Sequence, residues 1–152
     1  MKRLNDKFVF ITFFITFIFF LSISFSTVNY IDYCGYDINV SGLYVINISY
    51  LVSSSPYCIN ISVSNVILDG DGSVVNAMGN IGILIENSSD SLGNITISNL
   101  TIINSSLGIK INSTEEVYEI YLSYINIDAF STASETYSIY LSSNNTFNVS
   151  IF

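Results

Sequence analysis

Beyond residue 26 the chain alternates apolar and small polar residues with a period of two, and it does so in short runs. Ile61-Ser62-Val63-Ser64-Asn65-Val66, Ile95-Thr96-Ile97-Ser98-Asn99-Leu100 and Ile120-Tyr121-Leu122-Ser123-Tyr124-Ile125 share one pattern. Such alternation puts every second side chain on the same face, which is the mark of a half-buried β-strand. A second family, Ile83-Leu84-Ile85, Ile109-Lys110-Ile111 and Ile139-Tyr140-Leu141, interleaves with the first. The first family recurs at offsets of 34 and 25 residues and the second at 26 and 30. Two strand types in fixed order at that period predict stacked coils of a solenoid, with length differences absorbed in loops. A sandwich of hairpins would want two-residue turns such as Asn-Gly between long strands, and none is present.

No sustained three- and four-residue spacing of apolar positions follows residue 26. Ser113 to Tyr118, with Glu115 and Glu116, is the one stretch suited to a short helical turn, and it reads as a loop. The expected domain is therefore all-β, with Ile, Val and Leu stacked inside and Ser, Thr, Asn and Tyr facing out. Asn65, Asn99 and Asn104 fall where one strand must bend into the next, and Asn tolerates the left-handed conformation that such corners need. Gly70, Gly72, Gly82 and Gly108 are expected to punctuate the coils in the same way.

The first 26 residues are a different polymer. Lys2, Arg3 and Lys7 precede an uncharged run, Phe8 to Phe25, which is the positive and then apolar layout of a secretory signal. Ser24 and Ser26 allow cleavage after Ser26, and the 18-residue run is also long enough to stay as a membrane anchor. Both readings export residues 27–152. That part keeps Lys110 as its single basic side chain and carries a net charge of −10. Phosphate neutralisation needs clustered Lys or Arg, so nucleic acid is excluded as a partner. Both cysteines, Cys34 and Cys58, follow the signal. In an oxidising compartment the pair forms a disulfide, and in a reducing one it leaves two buried thiols. Zinc has no ligand set here, because the chain has no histidine and no further cysteine.

Cys34-Gly35, Ile38-Asn39-Val40-Ser41-Gly42-Leu43-Tyr44-Val45-Ile46 and the run from Cys58 to Gly72 resemble the opening of right-handed parallel β-helix proteins of the NosD-like and pectate-lyase-like kind. Gly93 to Ile102 and Tyr137 to Thr146 are similar to that family's coil repeats. The resemblance covers Tyr33 to Phe152. It implies a right-handed parallel β-helix of three to four coils after an N-terminal hydrophobic helix, with 31–58 as a cap and 59–152 as coils. By the same resemblance Asp69-Gly70-Asp71-Gly72 makes a tight corner, and a Cys34–Cys58 bridge staples the cap to the first full turn. Family members are structural, adhesive or carbohydrate-active proteins of cell surfaces.

Candidate chemistry is sparse. Asp69 and Asp71 are the most enzyme-like pair, since glycosidases use two carboxylates as acid and base, but Asp between glycines also serves turn geometry alone. Lyase-type relatives of the fold need an Arg or Lys base in the groove, and no Arg follows Arg3. Asp69, Asp71 and Asp128 supply the hard oxygens that calcium prefers without amounting to a site. The copper chemistry linked to the family's named parent finds no imidazole, and Met78 is the only methionine besides Met1. The expectation is no metal and no cofactor.

Ten Asn-x-Ser/Thr sequons begin at Asn39, Asn47, Asn60, Asn87, Asn94, Asn99, Asn104, Asn112, Asn144 and Asn148. Strand alternation by itself accounts for the six with an aliphatic middle residue. That leaves Asn87, Asn104, Asn112 and Asn144 as the expected acceptors. Tyr121 and Tyr140 are expected to point outward, where a ring can stack on a sugar. Asn148 to Phe152 reads as the start of another coil, so the chain is either a fragment of a longer one or pairs its 148–152 edge with another chain. The functional expectation is an exported or cell-surface module, structural or adhesive and glycan-binding, without catalysis of its own. Its partner would be a cell-envelope component or glycan, with a membrane held through residues 8–25 if they are uncleaved. The alternatives are a remnant of a carbohydrate-active enzyme and a membrane-tethered partner in an envelope complex.

Overall fold

In a computed structural model that describes residues 27–129, 137–143 and 147–152, the alternating runs fold as twelve strands. In chain order they are β1 (Val28–Ile31), β2 (Tyr36–Ile38), β3 (Gly42–Ile46), β4 (Tyr50–Val52), β5 (Tyr57–Ile61), β6 (Val66–Asn76), β7 (Ile81–Asn87), β8 (Leu92–Ile103), β9 (Leu107–Ser113), β10 (Val117–Asp128), β11 (Tyr137–Ser143) and β12 (Phe147–Ile151). Every pairing among them is parallel. One sheet runs β1-β3-β6-β8-β10-β12, with β4 also on β6, and the other runs β2-β5-β7-β9-β11. The chain thus passes from sheet to sheet and returns one rung further on, a parallel β-solenoid of about four coils. The expected leader or anchor, residues 1–26, lies outside the described residues, and no helix among those described is long and apolar enough to cross a membrane.

Three long strands carry a bend that divides the first sheet into two faces. Ser98 pairs with Ser123 and Leu100 with Ile125, leaving one residue between them in each strand, Asn99 and Tyr124. Both are left-handed, at φ 54° and 53°. A single left-handed residue turns the chain and flips the alternation, so Ile95 and Ile97 point inward before the corner and Leu100 and Ile102 after it. In β6 three residues, Gly70-Asp71-Gly72, fill the same interval. Each full coil therefore has three faces, and the aliphatics on them stack in continuous ladders. Ile59, Ile83, Ile109 and Ile139 form one, Leu68, Ile97, Leu122 and Ile151 a second, and Leu51, Val75, Ile102 and Ile127 a third. Every Ile among Ile59, Ile83, Ile95, Ile97, Ile102 and Ile109 is fully buried, and each burial is worth about 1.5–3 kcal/mol.

The register corrects one part of the repeat read from sequence. Ile120 does pair with Ile95, but the residue below Ile95 is Val66, whereas Ile61 belongs to β5 and pairs with Ile38 and Ile85. The cause is that Asn serves two different corners. Asn65 and Asn94 stand at the corner that opens the first face, and Asn99 stands at the one that closes it. Ser-Asn-Val and Ser-Asn-Leu look alike in sequence while lying at opposite ends of one face. Asn65, Asn99 and Asn104 are left-handed as expected, with φ between 51° and 60°.

Glycines divide by cause. Gly72 needs its φ of +75°, whereas a Cβ on Gly82 would sit 2.6 Å from Ile102 Cγ2 and from the Gly108 carbonyl oxygen. Gly82 and Gly108 are small because adjacent faces press together there, which is a packing requirement and not a turn.

At the first coil the Cys34–Cys58 disulfide joins residues 24 apart, beside β2 and within β5. The Gly35 amide donates to the Cys58 carbonyl at 2.7 Å, so the bridge ties neighbouring rungs of the second sheet. Pairing begins earlier than the expected cap boundary, since β1 already docks on β3 from Val28. Tyr44 takes the inward position level with Leu68, and its hydroxyl donates to the Val40 carbonyl at 2.7 Å. Its ring meets Tyr36 edge-on at 6.2 Å.

Candidate functional site

The corner that splits the long strands also builds a shallow surface cavity that carries chemical groups. Asp71, Asn99 and Tyr124 stand one above another on three successive coils, all left-handed and all exposed. Together with Gly72, Leu100 and Thr101 they line a surface cavity of about 350 Å³. Tyr124 is 82% exposed, the most open of the exposed tyrosines, and it lines the cavity. Nothing lies within 4 Å of where a Gly72 Cβ would be, so the space beside that residue is open.

Asp69 holds this corner in shape. Its Oδ1 accepts the Asp71 amide at 2.9 Å and the Asn99 Nδ2 at 3.1 Å. The first bond is the local turn that Asp favours, and the second ties one coil to the next. The two carboxylates expected as an acid and base pair are thus in one turn, but Asp69 is committed to structure and Asp71 faces the cavity. Asp128 lies at the far end of β10, level with Ile103, and does not join them. No group of three or more His, Cys, Asp or Glu placed to hold a metal occurs among the described residues.

Tyr121 and Tyr140 do face outward, each 37% exposed, but they stand on different sheets and form no common platform. Tyr140 instead packs at 5.6 Å against Tyr137. Tyr124 is the tyrosine that sequence reasoning passed over. The usable signal was its position: it replaces Asn99 at the same corner one coil later, where only a left-handed residue fits.

The sequon asparagines lie mostly in ladders. Asn87 Nδ2 donates to the Ser62 carbonyl at 3.0 Å while its Oδ1 accepts from the Ser89 and Asp90 amides. Asn104 Nδ2 donates to Asn76 Oδ1 and Asn112 Nδ2 to Glu86 Oε2. Asn144 lies outside the described residues.

A second polar cluster sits on the other sheet. Asp37 Oδ1 accepts the Tyr57 hydroxyl at 2.9 Å and Asn60 Nδ2 at 3.1 Å. The Tyr57 pKa is raised, first by that hydrogen bond and then by burial and the charges of Asp37 and Glu86. The Tyr44 pKa is raised mainly by burial. In a phenolate absorbance titration both are expected to ionise above the pH of free tyrosine, and Tyr57→Phe removes one late step. Since the folded chain holds these protons more tightly than the unfolded one, the associated stability persists through neutral pH and is lost as the pH climbs through the raised values.

Comparison with protein-family models, with curated proteins and with solved structures gives no match for this chain. The fold and the corner geometry carry the functional argument.

Proposed function

We propose that this chain is an exported or cell-surface β-solenoid module with a structural or adhesive role, that it binds a glycan in the Asp71–Asn99–Tyr124 corner, and that it performs no catalysis of its own. The observation that carries the reading is the exposed Tyr124, lining a cavity whose other lining residues offer a carboxylate, an amide and a hydroxyl. A pyranose has an apolar face that suits an aromatic ring and hydroxyls that suit Asp, Asn and Thr, and the cavity falls in the usual size range of small-ligand sites. The left-handed corner supports this use, because it fixes the backbone from which Tyr124 projects. The disulfide is the chemistry of an oxidising compartment, in keeping with export. The resemblance to NosD-like β-helix proteins agrees with a surface role.

Charge narrows the ligand. Asp71 lines the cavity, Asp69 lies behind it, and Lys110 is on the other sheet, so a polyuronate meets only negative charge. Neutral or amino-bearing sugars fit better. In calorimetric titration of the full chain with envelope polysaccharide fragments, Tyr124→Ala is expected to weaken binding at least tenfold, while Tyr121→Ala and Tyr140→Ala leave it within twofold. Equal loss in all three, or none in Tyr124→Ala, sinks the assignment. Release of reducing ends that disappears in Asp71→Ala would mark an enzyme instead.

A further inference from the structure

The solenoid sorts its sequons by what their amide nitrogens already do. Asn60, Asn87, Asn94, Asn99, Asn104 and Asn112 each donate from Nδ2 to an acceptor on the coil before them, at 2.8–3.2 Å. Those bonds bridge rungs only about 4.8 Å apart. An N-linked glycan is built on that same nitrogen, so it would put a sugar ring where the neighbouring coil's acceptor sits and part the rungs.

Asn39 and Asn47 make no such bond. Both are exposed, neither side chain makes a hydrogen bond among the described residues, and both lie in the bends that flank β3 and not within a strand. Val40, the middle residue of the first sequon, is 63% exposed. Asn148 is also exposed, but its sequon is inside β12, whose backbone is paired with β10.

We infer that Asn39 and Asn47 are the N-glycan acceptors of this protein, so that its carbohydrate is gathered on the first coil, on either side of β3. This reverses the preference drawn from sequence, in which an aliphatic middle residue counted against a sequon. That rule assumes a strand, and Asn39-Val40-Ser41 and Asn47-Ile48-Ser49 are bends. The inference rests on the export reading, because only an exported chain meets a glycosyl-transferring enzyme.

The test is secretion of the full chain from a eukaryotic host, with glycans released enzymatically in heavy-oxygen water so that each formerly occupied Asn is marked in peptide mass spectra. Marks at Asn39 and Asn47, with Asn87, Asn104 and Asn112 unmarked, are the expected result. N39Q/N47Q should then secrete without carbohydrate and melt at an unchanged temperature, whereas N87Q melts lower. A secreted, folded product that is bare at Asn39 and Asn47, or marked at a ladder asparagine, overturns the inference and leaves export standing. A chain retained in the cytosol with its first 26 residues attached overturns export and the inference together.

Discussion

Ile97→Ala lowers the unfolding free energy by about 3–4 kcal/mol, a large part of the total for a domain of this size. Ile97 is fully buried at the centre of β8, with Leu68 directly before it in the ladder and Leu122 directly after. Removing its outer carbons leaves a void lined on both sides by neighbouring rungs, and those rungs cannot close on it without breaking their backbone pairing. Thr96, one residue away on the outer side of the same strand, provides the control, and Thr96→Ala should change stability by less than about 0.5 kcal/mol. Paired urea or thermal melts of the two variants measure the difference. Equal effects would contradict the inward and outward assignment of β8 and, through the register, of β6 and β10.

Cys34→Ala/Cys58→Ala is expected to cost about 3.5 kcal/mol, from the closure entropy of a loop whose ends are 24 residues apart. At this chain length that lowers the melting temperature on the order of 10 °C. The loss should be concentrated at the first coil, because solenoid stability is a sum of neighbouring contacts and the bridge joins β5 only to the rung before it. Hydrogen exchange would show the first coil opening well before β8 and β10. Uniform acceleration across all coils would mean that the domain melts as one unit instead.

Much of the architecture was legible because a parallel solenoid repeats its local rule. Strand alternation gave the all-β class, and Ile83, Ile109 and Ile139 were correctly aligned because a continuous inward ladder requires equivalent residues on each rung. The first family misled at Ile61, since two corner types both select Asn for its left-handed tolerance and so produce the same short motif. The third face escaped the reading of two strand families, although the spacing Ile95-x-Ile97-x-x-Leu100-x-Ile102 carries it, with one extra residue shifting the alternation. Glycine was harder to interpret: Gly72 is chosen for conformation and Gly82 for a contact with Ile102, and only coordinates separate the two. The candidate site was least legible of all. A tyrosine at a left-handed corner carries no motif, and the cavity around Tyr124 joins residues about 25 apart in sequence from three coils.

One further property of the second sheet bears on how long such a protein lasts outside a cell. Lys110 is the only basic side chain after Lys7, and it sits half-buried in the middle of β9, between Leu84 and Tyr140 in register. Proteases that cut beside Lys or Arg require an extended, accessible segment, and the one such residue after Lys7 is locked into paired backbone on both sides. To such enzymes the folded solenoid offers no place to begin.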